Sequence, residues 1–299
     1  MKIYSVVFAT DENYTQHLSV ALVSLLKNNS ECKFNIYIIC SGINEENFHK
    51  LQLITNKYNS TISQIIVEDE IFESLVTNYH FTKAMYYRLL IPNFMDDDMV
   101  LYLDADIVVN GSIKDLFDID LEGKYIGAIL NPGFSRHEEL KMNLDSEYFN
   151  SGVMLINNKL CKTDNIMKKV IDFIDENHEI IMFPDQDGLN AIVNGNWQKI
   201  PLKFNQLAVI YEKKNNVLLD SFSQIEIEEA KTNPIIIHYT GSDKPWHLGN
   251  KHPYKNLYWK YLKTTPFKQY IPSNISFKNF IKFLLTRNQV IKLKYLNKE

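Results

Sequence analysis

In the run Val100-Leu101-Tyr102-Leu103-Asp104-Ala105-Asp106, two carboxylates follow an apolar stretch at a spacing of two. In an extended segment, residues i and i+2 face the same side, so Asp104 and Asp106 would address one point. Like charges held together beside apolar residues repel and lose hydration, and a cation between them relieves both costs. Oxygen ligands, completed by the imidazole of His238, suit Mn²⁺ or Mg²⁺ better than a soft metal. The same pair also fits a solvated turn after a strand, and the spacing alone leaves both readings open.

Other polar clusters border apolar runs. Phe8-Ala9-Thr10-Asp11-Glu12-Asn13-Tyr14 closes the first run, and His238-Tyr239-Thr240-Gly241-Ser242-Asp243-Lys244-Pro245-Trp246-His247 follows another. Tyr148-Phe149-Asn150-Ser151-Gly152 reads as a loop presenting Asn150 and Ser151 ahead of a buried strand. Pro184-Asp185-Gln186-Asp187 opens a helix, where acids are favoured by the helix dipole whether or not they bind a ligand. Arg88, in Tyr86-Tyr87-Arg88-Leu89, either reaches a ligand or forms an ordinary surface ion pair. The chain has ten glycines and neither GxGxxG nor GxxxxGK[ST]. A backbone phosphate cradle is therefore not expected, and a diphosphate here would need a carboxylate-held metal assisted by Lys244.

These clusters need strands to position them. Strand-like runs at 3–9, 34–40, 62–67 and 99–103 alternate with helical patterns at 17–27 and 45–58, which predicts βαβ units and a mostly parallel sheet. A further helix is expected over 83–90, ending before Pro92, and a further strand near 235–237. In such sheets ligands bind beyond the carboxyl ends of the strands, where three of the clusters lie.

Composition bounds the function. With 45% apolar and 23% charged residues over 299 positions, the chain reads as folded and soluble. A net charge of −4 argues against a general nucleic-acid binder. Residues 274–299 hold six basic groups and one acid, so the rest of the chain is markedly acidic. Phe277, Ile281, Leu284 and Leu285 fall at helical spacing beside Lys278 and Lys282, which suggests an interfacial helix on an anionic bilayer. Its alternative is a helix docked on the domain. No apolar run reaches membrane-span length, the first ten residues are too brief for a signal peptide, and three scattered cysteines suit a reducing cytosol.

Taken in order, VVFATDENY, YYRL, VLYLDADIVV, YFNSGVMLIN, FPDQDGLN and HYTGSDKPWH resemble the retaining nucleotide-sugar glycosyltransferases of family 8. That family includes bacterial lipopolysaccharide galactosyl- and glucosyltransferases and, more distantly, glycogenin. The resemblance spans residues 6–247. It implies an α/β, Rossmann-like, mostly parallel sheet of GT-A type; with the charge and spacing of the last residues, the chain divides into a glycosyltransferase domain at 1–273 and a small helical tail at 274–299. It also implies a UDP-galactose or UDP-glucose donor, Mn²⁺ (or Mg²⁺), and a lipid-linked or cell-surface glycan acceptor. By position, Asp104, Asp106 and His238 would bind the metal. Asp11 and Asn13 would meet the uridine end, with Ala9 and Thr10 nearby, and Ala105 and Ser151 belong to the donor-binding set. Gly241 and Lys244 would contact the diphosphate, and Arg88, Asn150, Asp185 and Gln186 the donor sugar. His80, Asn131 and Thr240 fall where relatives meet the acceptor, with acceptor choice expected in loop 132–147. The neutral Gln186 beneath the anomeric carbon implies front-face substitution. Asn13-Tyr14-Thr15 is a glycosylation sequon at a donor contact, so a cytoplasmic enzyme is expected, peripheral on the inner membrane face. Self-glucosylation and a non-catalytic sugar-nucleotide module are the competing readings.

Overall fold

The first strand, β1 (Ile3–Ala9), is apolar at most positions and buried along most of its length, as a strand covered on both faces must be. It pairs in parallel with β2 (Lys33–Cys40) and with β4 (Met99–Leu103), and β2 pairs in parallel with β3 (Thr61–Ile66). Beyond β4 the sheet continues through β7 (Phe149–Asn157), β6 (Ile126–Leu130) and β8 (Trp197–Lys199), in the order β3-β2-β1-β4-β7-β6-β8. The strand β7 runs antiparallel to both β4 and β6. The remaining pairs are parallel, giving the expected mostly parallel α/β sheet. This computed structural model describes residues 2–72, 75, 83–211 and 216–271. His80 and the basic segment 274–299 lie outside the described residues.

A second sheet was not anticipated. It joins β5 (Ile107–Val109), β10 (Ile236–His238) and β9 (Gln206–Leu207). Its middle strand, β10, runs antiparallel to β5 and parallel to β9. The strand near 235–237 is therefore real, but it stands beside the main sheet. Because β5 follows β4 after only three residues, this small sheet delivers His238 to the mouth of β4.

Two other expectations change. Residues Lys83–Leu90 form a 3₁₀ helix, and the chain continues into an α-turn, Ile91–Phe94, with Pro92 inside its first turn. Proline is tolerated there because the first-turn N–H groups have no intrahelical partner. Asn150 and Ser151 lie within β7 itself rather than in a loop before it.

Helix α1 (Thr15–Asn28) packs against β5, against α2 (Glu45–Asn56) and against a C-terminal helix, α5 (Lys255–Leu262). Helices α3 (Ile166–Glu176) and α4 (Pro184–Val193) pack together on the other side of the molecule's second apolar core. His17 locks α1 to Trp246 and α5: its Nδ1 lies 2.7 Å from Tyr258 Oη, and its ring stacks on Trp246 with centroids 3.5 Å apart. The segment 238–247 is thereby anchored to the core.

Burial depresses the His17 pKa from 6.5 to about 3. The unfolded chain takes up this proton below pH 6.5 and the folded chain does not, so stability falls as pH drops through that range. Urea titrations should show the wild type losing about 2 kcal/mol more than His17→Phe between pH 8 and pH 5. Parallel losses in the two proteins would remove His17 as the cause.

Candidate active site

A cleft of about 890 Å³ opens where β4, β7 and β10 meet the N-terminus of α4. Asp104, Asp106, Asn150, Asp185, Gln186 and His238 all line it. Asp104 follows the last residue of β4, and residues 105–106 turn the chain into β5. The carboxylates converge through this turn rather than through strand pleating. The His238 Nε2 atom is 3.5 Å from Asp104 Oδ2 and 3.3 Å from Asp106 Oδ1. One ligand atom from each of the three residues lies within 4.8 Å of the others. Two carboxylate oxygens and an imidazole nitrogen form a donor set for a divalent cation of hard to intermediate character.

Gly152 is the cradle for this set. Its carbonyl accepts the Asp104 N–H at 2.8 Å. A Cβ there would stand 2.1 Å from His238 Cε1 and 2.7 Å from Asp104 Oδ2. Only glycine lets the two side chains close over β7.

The acids are compensated from both sides. Arg88, 7% exposed, pairs with Asp104 at 2.9 Å and Asp185 at 3.1 Å and donates to the Ser151 carbonyl at 2.9 Å. It is therefore no surface ion pair. Burial would lower its pKa, but Asp104 and Asp185 outweigh that and hold the guanidinium protonated. Burial likewise raises Asp185, and Arg88 offsets this only in part. Lys244 Nζ sits 2.5 Å from Asp106 Oδ2 and donates to the Tyr239 carbonyl at 2.8 Å. Burial acts to raise Asp106, yet the Lys244 ammonium beside it holds its carboxyl well below the ordinary range.

Beside these charges lies a set of neutral amides. Gln186 Oε1 accepts from Asn150 Nδ2 at 3.0 Å and from the Ser151 N–H at 3.1 Å. Ser151 Oγ donates to Asp185 at 2.9 Å. Asp187, in the first turn of α4, is fully buried and accepts from Tyr148 Oη and from the N–H groups of Met182 and Phe183. Arg136, in loop 132–147, also pairs with it at 3.2 Å, which fastens that loop to α4.

A recess of about 240 Å³ adjoins the cleft, lined by Ala9, Thr10, Asp11, Tyr14 and Ala105 among others. Asp11 accepts the Tyr14 N–H at 3.2 Å, which shapes the turn. Asn13 is exposed on the same turn and does not line the recess. Asn131, Thr240, Gly241 and Lys244 reach the main cleft. Gly241 adopts φ +81°, a backbone that L side chains rarely take.

Sequence reasoning missed three residues. Tyr102 donates to Asp104 Oδ1 at 2.7 Å and lies under the Arg88 guanidinium, 4.6 Å from ring centroid to charge. Its two-residue offset from Asp104 on β4 was a usable signal. Tyr148 and Asn205 had none, because their partners are distant in sequence.

The profile of the glycosyl transferase family 8 matches residues 5–249. The chain belongs to this family. Family 8 relatives include general stress protein A of Bacillus subtilis strain 168, 34% identical over 274 residues that cover 88% of this chain and 94% of that protein. The lipopolysaccharide 1,2-glucosyltransferase of Escherichia coli is 30% identical over 255 residues, 82% of this chain and 73% of that protein. Among solved structures, the galactosyltransferase LgtC in complex with donor and acceptor sugar analogs superposes with a TM-score of 0.79. It is 25% identical, with 90% of this chain and 98% of that chain covered. The GT-A fold and a glycosyltransferase identity follow for this family 8 member.

In Gly152→Ala the added methyl meets the His238 ring and the Asp104 carboxylate. Calorimetric titration with Mn²⁺ is expected to show affinity about 10- to 100-fold weaker than wild type. Equal affinity would mean that His238 and Asp104 need not close over β7.

Proposed function

We propose that this chain is a retaining UDP-hexosyltransferase. It moves galactose or glucose from a UDP-sugar to a hydroxyl of a lipopolysaccharide- or O-antigen-type glycan. The observation that supports this best is the sharing of one cleft by the Asp104–Asp106–His238 set, Lys244 and the Asn150–Asp185–Gln186 cluster. Asp104, Asp106 and His238 would hold Mn²⁺ (or Mg²⁺), which when bound supplies Lewis-acid stabilisation of charge on the departing diphosphate. Lys244 and the Gly241 backbone face the same phosphates, and Lys244 adds positive charge where the leaving group becomes negative. The recess at Ala9, Thr10, Asp11 and Ala105 takes the nucleoside. Asn13, exposed beside the recess, acts from its rim. Arg88, Asn150, Ser151, Asp185 and Gln186 orient the hexose, while Asn131 and Thr240 face the acceptor, with His80 assigned there by resemblance.

Retention needs either a carboxylate nucleophile or attack from the leaving-group side. Asp185 is held by Arg88 and Ser151, and Asp187 is enclosed by its donors. Gln186 is a neutral amide whose oxygen already accepts twice. Front-face substitution fits this set: the acceptor oxygen bonds to the anomeric carbon as its bond to UDP breaks. The acceptor proton passes to the departing β-phosphate oxygen.

Relatives named as lipopolysaccharide glucosyl- and galactosyltransferases, the latter from Salmonella typhimurium strain LT2, motivate the acceptor class. Among the described residues no helix is long and apolar enough to cross a membrane. The reading is of a cytoplasmic enzyme whose basic segment 274–299 rests on the anionic inner membrane surface.

Mn²⁺-dependent hydrolysis of UDP-galactose against UDP-glucose, without acceptor, should reveal a donor preference, and Asp104→Asn should abolish turnover. Full activity in that variant would exclude the metal assignment. Intact-mass spectra of enzyme quenched during turnover should show no glycosyl adduct; one on Asp185 or Asp187 means double displacement instead. Removing 274–299 should release the enzyme from anionic vesicles while transfer to a soluble acceptor continues. Vesicle binding that survives the deletion rules out this segment as the anchor.

A further inference from the structure

Asn205 touches both halves of the site. It is fully buried (0% exposed) in the bend before β9. Its Oδ1 lies 2.9 Å from His238 Nδ1, and its Nδ2 donates to Asn150 Oδ1 at 2.9 Å. Which end of this amide faces which partner follows from hydrogen-bond polarity. The Gly152 N–H donates to Asn150 Oδ1 at 3.2 Å, which makes that oxygen an acceptor. Asn205 must then turn its NH₂ toward Asn150 and its oxygen toward His238. An amide oxygen only accepts, so the ring proton of neutral His238 sits on Nδ1. Its lone pair is left at Nε2, the atom that faces Asp104 and Asp106.

The same polarity continues away from His238. Asn150 Nδ2 donates to Gln186 Oε1, which also takes the Ser151 N–H. Gln186 Nε2 donates to Tyr148 Oη at 3.1 Å, and Tyr148 gives its own proton to Asp187 Oδ1 at 2.6 Å. Three groups that cannot reverse their role fix the direction: the backbone N–H groups of Gly152 and Ser151, and the Asp187 carboxylate. A five-link series of hydrogen bonds thus joins His238 to a buried anion at the N-terminus of α4.

We propose that Asn205 is a positioning residue: it holds His238 as the Nδ1–H tautomer with Nε2 presented to a divalent cation, and it fixes Asn150 and Gln186 in the orientation that meets the donor sugar. This rests on the metal-dependent reading above. A ligating histidine whose second nitrogen is fixed by a hydrogen bond follows a general rule of metal sites, where losing that partner weakens binding about 10- to 100-fold.

The test uses the full-length protein with ¹⁵N-labelled histidine, His238 being assigned from the resonance lost in His238→Gln. Metal-free wild type, at a pH high enough to leave the ring neutral, should show a protonated Nδ1 and a bare Nε2, and Asn205→Ala should show a mixture of tautomers. Free Mn²⁺ read by electron paramagnetic resonance should report about 10- to 100-fold weaker binding in Asn205→Ala. Asn205→Asp keeps an acceptor for His238 but turns a second acceptor toward Asn150. It should restore Mn²⁺ affinity to within a few-fold of wild type while the donor KM rises about tenfold. A proton found on Nε2 of the neutral ring in the wild type overturns the proposal. So does Asn205→Ala that keeps both the wild-type tautomer and Mn²⁺ affinity, or Asn205→Asp that binds Mn²⁺ as poorly as Asn205→Ala. A wild type that binds no Mn²⁺ would instead strike the metal-dependent reading, and the tautomer measurement would still decide the role of Asn205.

Discussion

Negative charge gathered at low solvent exposure is the constraint on which the site depends. Asp104, Asp106 and Asp185 converge at the end of β4 and the start of α4, where uncompensated carboxylates would be expensive. Arg88 bridges Asp104 and Asp185, Lys244 answers Asp106, and His238 faces both members of the turn. The 3₁₀ helix before β4 and the segment after β10 are thus tied to the same few ångströms of space. Removing either cation would leave a carboxylate of low exposure without its charged partner. Such loss costs more than the intact pair contributes.

The neutral side of the cleft has a different logic. Asn150, Gln186 and Asn205 are amides, and each can bond in either sense unless a partner forbids it. Here backbone N–H groups of β7 and the enclosed Asp187 forbid it. A polar network that is fully satisfied and has one polarity is rigid. Loop 132–147 joins the same arrangement through Arg136 on Asp187 and through Phe134, stacked 3.8 Å from Tyr148. That loop and the amide cluster therefore share one support.

The small second sheet explains how residues 106 and 238 come together. The β5–β10 pairing sets Ile107 opposite His238, one residue beyond Asp106. Gly152 then permits the approach from β7, and His17 stacked on Trp246 steadies the remainder of the segment after β10.

Much of this was legible in the sequence, for stated reasons. The alternation of apolar runs located β1 to β4, α1 and α2; on β1 and β4 the runs are long because burial on both faces demands it. The spacing of Asp104 and Asp106 announced their common target, although a turn rather than a pleated strand achieves it. Resemblance over six ordered motifs gave the family. The tertiary structure alone decided that Arg88 is buried between two acids, that β10 lies in a separate sheet, and that Asn205 stands between His238 and Asn150. Periodicity records how often a chain meets the core, and it carries no record of which distant residue is met there. Asn205 and Asn150, 55 positions apart, become neighbours only when β9 closes on the sheet.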